Sequence, residues 1–392
     1  MKNLRIKHDQ ELMRRENAKL VFSIIKKSGS ISRAQISRTV KMSPTSVGRI
    51  VDGLMEANLV KEVGSVGYGV GRKANLLQVD SKSLLSIGVE IDKGYIGVAV
   101  TNFNGEIIDI IENSDNILPF TPENVSCKIG EMANQLIAKI KPEDSKIVGV
   151  GVAVPGLIDT DNGKVIFSAQ LKWENKNLAD MIKKEIGGLP VKIDNEMKSK
   201  AIAESLYGAA QTSNKVVLMS ICSGVGSALI INGEVYRGSS NTAGEIGHIT
   251  VDPNGLLCEC GRLGCLQTYI ADWALLDQAR KYSNVCSVND IFKACEKGEQ
   301  WACKIITRAV DYIGIAIGSL VCLYNPDKII LCGRVLEYNP EWIPLIQQRY
   351  YSFVWGQLND TFTLEFTKMW GSAAIIGAGT MAFLAALDDY II

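Results

Sequence analysis

Residues 244–267 read GEIGHITVDPNGLLCECGRLGCLQ. This stretch holds His248, one of only two histidines in the chain, followed by Cys258, Cys260 and Cys265. One imidazole and three thiolates so close in sequence suffice to close a tetrahedral zinc site. Gly261 and Gly264 let the backbone turn tightly around a metal. In a reducing compartment a C-x-C-G-x-x-G-C knuckle has little use as a disulfide framework. The spacing therefore predicts structural zinc held by His248, Cys258, Cys260 and Cys265. The alternative is a set of small buried thiols beside a hydrogen-bonded histidine.

Glu245-Ile246-Gly247-His248, then Cys258-Glu259-Cys260-Gly261-Arg262-Leu263-Gly264-Cys265-Leu266-Gln267, resembles the signature of the ROK family, which groups bacterial sugar kinases with sugar-responsive repressors. The resemblance runs over essentially the whole chain. It implies that the histidine and cysteines bind zinc and that Glu245 and His248 also serve a sugar pocket. Gln267 stands where the family has a glutamate, keeping the hydrogen bonding without the charge.

The composition sets outer bounds. A chain of 392 residues with 47% apolar and 21% charged residues is long enough for two or three globular domains. Its 42 basic and 42 acidic residues cancel, so nucleic-acid binding requires a local patch. The N-terminus, MKNLRIKHDQELMRREN, is polar and basic with no apolar signal region. Apolar runs such as Ile313 to Tyr324 read as too short and too glycine-interrupted to span a bilayer. Ten scattered cysteines fit a cytoplasmic protein.

Residues 1–80 differ in character from the rest. Leu20, Ile24 and Ile25 have helical spacing, and Ser28-Gly29-Ser30 breaks that helix. Ser32 caps a second helix, predicted to turn Ala34, Ile36 and Val40 inward. Ser43-Pro44 starts a third, through Val47, Ile50, Val51 and Leu54. Asn58–Val63 and Ala74–Val79 read as strands around a glycine-rich loop. Three helices and a hairpin predict a winged helix-turn-helix whose third helix enters the major groove. Its candidate DNA contacts are Arg33, Ser43, Thr45, Ser46 and Arg49, with Arg72 and Lys73 on the wing.

Beyond Asp80 strands alternate with helices, and two glycine-containing hairpins, at 86–101 and 216–231, begin two similar halves. This pattern resembles the two-lobed actin-like ATPase fold, with ligand between the lobes. The predicted lobes are 81–195, completed by the C-terminal helix 373–392, and 196–372 with the zinc loop and dimerisation helices. Trp173 packs either near the sugar or in the core.

Three places separate sensor from kinase. Family kinases carry a D-x-G-G-T phosphate turn where this chain has Glu90-Ile91-Asp92-Lys93-Gly94, which sets a carboxylate against phosphate. A glycine-rich loop is reduced to Ser223-Gly224-Val225-Gly226-Ser227. The asparagine–aspartate pair, whose aspartate is the catalytic base, is Asn195-Glu196 here, one methylene longer. The resemblance is therefore to the family's xylose repressor group. It implies a sugar-responsive, non-catalytic regulator of carbohydrate-metabolism genes that binds an inverted-repeat operator as a homodimer or tetramer. The inducer sugar would be held by Asn195, Glu196, Glu245, His248 and Gln267. The alternative is an active sugar kinase that retains a DNA-binding domain.

Overall fold

The computed structural model describes residues 2–66, 74–114, 119–141 and 145–390. At the N-terminus lie α1 (Lys2–Ser28), β1 (Ile31–Ser32), α2 (Arg33–Val40), α3 (Pro44–Glu56), β2 (Val60–Val66) and β3 (Ala74–Val79). The local chemistry sets their ends. Ser32 and Gln35 form a reciprocal capping box, and Lys41 stops α2 in the left-handed region at φ 56°. Ser43 accepts from the Ser46 N–H, with Pro44 in the first turn of α3. Val21, Phe22, Ile25, Ile36, Val51 and Leu77 fill the core between the helices and the sheet. Contrary to expectation, Ala34 is exposed and Val40 only half-buried. The sheet order is β1-β3-β2, giving a winged helix. Strand β1 is only two residues long, too short to leave a periodic signal. Asn58 lies in a turn at φ 57°, so the wing strand starts at Val60.

The body contains two five-stranded sheets of matching topology. The first comprises β4 (Leu84–Asp92), β5 (Tyr95–Asn102), β6 (Ile107–Asn113), β7 (Lys146–Val154) and β11 (Val191–Asn195), in the order β11-β7-β4-β5-β6. The second comprises β12 (Lys215–Ile221), β13 (Val225–Ile231), β14 (Glu234–Tyr236), β15 (Lys328–Cys332) and β16 (Thr363–Phe366), in the order β14-β13-β12-β15-β16. Each is an antiparallel meander extended by two parallel strands. Helices α4 (Pro122–Ile137) and α5 (Leu178–Glu185) cover the first sheet. Helix α6 (Glu196–Tyr207) follows β11 directly, and α7 (Gln267–Ile270), α8 (Asp272–Ala279), α9 (Val288–Glu296), α10 (Gln300–Tyr324), α11 (Arg334–Glu337) and α12 (Trp342–Arg349) belong with the second sheet. The last helix, α13 (Ala373–Tyr390), lies on β4 and β7, where a Cβ at Gly88 or Gly151 would overlap the Ile375 or Ala378 carbonyl.

Three features depart from the sequence reading. A small sheet, β8 (Leu157–Asp159), β9 (Lys164–Ser168) and β10 (Trp173–Lys176), fills the span after Pro155-Gly156. Trp173 there is a core residue, its ring stacked on Phe120 and its Nε1 donating to the Phe120 carbonyl at 3.0 Å. The Ile313–Tyr324 run is the second half of the 25-residue α10, long and apolar enough to cross a bilayer, yet Ile305, Ile306, Ile313, Ile317 and Leu320 are buried in the second-lobe core. Cys295 and Cys303 form a disulfide where the chain turns between α9 and α10 at Gly298, φ 85°. The other eight cysteines are free.

Candidate functional site

The parallel strands end on one common rim. At their carboxyl ends lie Asp92 (β4), Pro155-Gly156 (β7), Asn195 (β11), Cys222-Ser223 (β12) and Gly333-Arg334 (β15), the position where open α/β sheets place ligands. Two adjoining clefts open there.

The first, about 610 Å³, is lined by Asn195, Glu196, Glu245, His248 and Gln267, so all five residues proposed to hold a sugar meet in one space. Asn195 caps α6: its Oδ1 accepts from the Met197 N–H at 2.8 Å and its Nδ2 donates to the Gly156 carbonyl at 3.0 Å. One amide hydrogen and one oxygen lone pair remain for a ligand. The Glu196 Oε2 is buried with no hydrogen-bond partner among the described residues. Burial pushes the Glu196 carboxyl up to about 7; Lys200 opposes the rise, and Glu245 and Asp92 add to it. Desolvation also raises the Glu245 carboxyl, against the pull of Lys198. Gly244, at φ 97°, and Gly247 lay this loop on β13, since a Cβ on either would overlap the Ser227 or Val225 carbonyl.

Behind Glu245 the loop closes a donor cluster. The His248, Cys258, Cys260 and Cys265 ligand atoms all lie within 4.8 Å of one another. His248 Nδ1 is 3.8 Å from Cys258 Sγ, and Cys260 Sγ is 3.6 Å from Cys265 Sγ. Donors around a tetrahedral zinc stand roughly 3.3–3.8 Å apart, so these two pairs already match that spacing, and any wider pair has at most about 1 Å to close. Burial, helped by Arg262, lowers the His248 pKa and favours the neutral imidazole that ligation requires. Arg262 Nη2 also donates to the His248 carbonyl at 2.6 Å. Gln267 is buried and its Nε2 donates to Cys258 Sγ at 3.3 Å, so its amide N–H serves the cysteine cluster.

The second cleft, about 680 Å³, is lined by Glu90, Asp92, Lys200, Ser223 and Arg334 among others, and shares Glu196 with the first. Here Asp92 accepts from Ser223 Oγ at 3.0 Å, Gln170 Nε2 at 3.4 Å and Arg334 Nη1 at 3.3 Å. Arg334 reaches Glu90 at 3.6 Å and stacks 4.3 Å over the Tyr95 ring. The carboxylate of the first sheet's turn is thus tied to the second sheet. Sequence reading found Asp92 but missed Arg334, Gln170 and Lys200. The i, i+4 spacing of Glu196 and Lys200 on one helix carried a signal for the last of these; Arg334 and Gln170 carried none.

On the winged domain, Ser43, Thr45, Ser46 and Arg49 are exposed along the N-terminal half of α3. Arg33 is engaged within the domain, pairing with Asp52 at 2.9 Å and Glu62 at 3.7 Å. Arg72 and Lys73 lie outside the described residues.

Winged helix, two-lobed body and histidine–cysteine loop together define a class of ligand-binding transcriptional regulator. The model of the ROK family matches residues 86–384, and the chain belongs to that family. It is similar to the xylose repressor of Bacillus spizizenii (30% identity over 380 residues, 97% of this chain and 98% of that protein). The crystal structure of a ROK family transcriptional regulator, a homologue of the E. coli MLC protein, superposes with a TM-score of 0.81 at 26% identity, covering 97% of this chain and 98% of that one. A ROK family glucokinase from Streptomyces griseus, solved with glucose and AMPPNP, gives 0.66 at 25% identity, covering 76% of this chain and 99% of the kinase.

Proposed function

We propose that the protein is a sugar-responsive transcriptional repressor of carbohydrate-metabolism genes. The winged domain binds an inverted-repeat operator as part of a homodimer or tetramer, and a xylose-like or hexose inducer occupies the interlobe cleft. One observation carries this reading: a single chain joins a winged helix with an exposed α3 face to a cleft lined by Asn195, Glu196, Glu245 and His248. Carboxylates and amides at such a rim suit sugar hydroxyls, which both donate and accept. Occupancy that alters lobe closure would change the spacing of two winged domains and hence their fit to two half-sites. Such a regulator works in the cytoplasm, beside its DNA.

His248, Cys258, Cys260 and Cys265 would hold a structural zinc whose coordination ties the Glu245–His248 segment to the 258–265 knuckle. Ligation through Nδ1 leaves the His248 Nε2–H as a donor for the ligand.

We read the protein as non-catalytic. A nucleotide phosphate in the second cleft would meet Asp92 and Glu90, and the cations there, Arg334 and Lys200, already face carboxylates. One observation favours the kinase alternative: Glu196 sits near neutrality, where a general base works best. Isothermal titration of the full chain with D-xylose, D-glucose and N-acetyl-D-glucosamine tests the sensor reading. At least one should bind, and Glu245→Ala should abolish the heat. No binding by any sugar, or binding indifferent to Glu245, refutes the cleft assignment.

A further inference from the structure

Helix α6 has one end in the cleft and the other beneath the DNA-binding domain. Its first residues are Asn195, the cap, and Glu196; its last is Tyr207. Twelve residues make a rod of roughly 16–18 Å. The rod is pinned to α13 near its first turn, because a Cβ at Gly377 would overlap the Ser199 carbonyl. At the far end the Tyr207 hydroxyl donates to the Phe103 carbonyl at 3.0 Å, and Gly105 packs on the Tyr207 ring.

The C-terminal part of α1 lands on this end. Phe22 packs on Phe103 at 5.0 Å between centroids, and Phe103 on Phe383 at 4.3 Å. The buried cluster that holds the winged domain together continues through these rings into the body. Lys26, one turn after Phe22, buries its ammonium between two aromatic faces, 4.2 Å from the Phe103 centroid and 4.4 Å from Tyr207. Its Nζ is buried and has no hydrogen-bond partner among the described residues. Burial lowers its pKa to about 8. A desolvated cation held only by ring faces is a contact that small displacements of either ring weaken.

We propose that Lys26 and Tyr207 are the positioning residues through which occupancy of the cleft is transmitted to the winged helix, with α6 as the rigid link. The inference rests on the sugar-responsive reading above. A ligand drawing on Asn195 and Glu196 pulls one end of α6. Because Ser199 is pinned against Gly377, α6 answers such a pull by pivoting about that contact, and Tyr207 at its far end shifts against the Phe103 turn. The seat of Lys26 changes, and α1 carries the change into α3, against which it packs.

The test uses full-length protein and a labelled operator selected by the wild type from a randomised DNA pool. Operator affinity is measured with and without D-xylose, D-glucose or N-acetyl-D-glucosamine, and sugar affinity separately by titration calorimetry. The wild type should lose operator affinity by about 5- to 150-fold with its effector. Lys26→Met and Tyr207→Leu should bring that ratio below about twofold while sugar affinity changes little, as expected when a coupling term is removed and the site left intact. Lys26→Arg, which returns a cation to the rings, should restore most of the ratio. A variant that folds poorly is read through the other two. Wild-type ratios in both Lys26→Met and Tyr207→Leu overturn the proposal while the sensor reading stands. No effect of any sugar on the wild type overturns both.

Discussion

Glu196→Gln should stabilise the protein at alkaline pH and leave it unchanged near pH 4.5. The folded-state carboxyl titrates at about 7, against 4.5 for the ordinary group. Between those values the unfolded chain ionises and the folded chain holds its proton, so stability falls as pH rises through that window and levels off above it. Each pH unit over which only the unfolded chain is charged costs about 1.4 kcal/mol, so the burial amounts to about 3 kcal/mol above pH 7. Glutamine resembles the protonated form and does not carry this cost. Part of the gain is offset because Lys200 loses a nearby carboxylate. The assay is denaturant unfolding of wild type and variant at pH 4.5, 6 and 8 at fixed ionic strength. The variant's advantage should grow from about zero to about 2–3 kcal/mol across the series. A constant difference, or destabilisation at pH 8, would mean that Glu196 is ionised and well partnered in the folded state, and the electrostatic account of the cleft would fall.

Purified protein should contain about one equivalent of zinc per chain. Cys260 is exposed, so without a metal Cys260→Ser would change stability by no more than about 0.5 kcal/mol; we expect metal loss and a drop of several kcal/mol instead, read by metal analysis and thermal unfolding. Arg49→Ala should lose about 1–3 kcal/mol of discrimination between the selected operator and single-base variants, with competition binding as the measurement. ATP-dependent sugar phosphorylation should be negligible in a coupled assay; turnover approaching ~1 s⁻¹ would restore the kinase alternative.

How much of this was legible in the sequence depended on how local the signal was. Ser32, Ser43 and Pro44 mark the ends of α2 and α3 by chemistry within four residues, and the structure places both helices there. The histidine–cysteine cluster was equally readable, because its four donors sit in one glycine-punctuated loop. Long-range pairings left no such trace. Nothing around Arg334 announces that it meets Asp92, 242 residues earlier. Arg33 read as a phosphate contact, and nothing in the sequence announced its pairing with Asp52 and Glu62. Gln267 read as a sugar ligand and lines the cleft, but the sequence did not show that its N–H also reaches Cys258. Trp173, open to two readings, was decided by a partner 53 residues away.

If one molecule links a sugar in the cleft to DNA on the winged helix, each ligand must change the affinity for the other. The most direct measurement is operator binding by the wild-type protein, by fluorescence anisotropy at fixed salt, with and without saturating sugar. At least one of D-xylose, D-glucose and N-acetyl-D-glucosamine should weaken binding by about 5-fold or more, and Glu245→Ala should bind the operator normally but ignore the sugar. Operator affinity identical with and without every sugar tried, in a protein that does bind DNA, would contradict it.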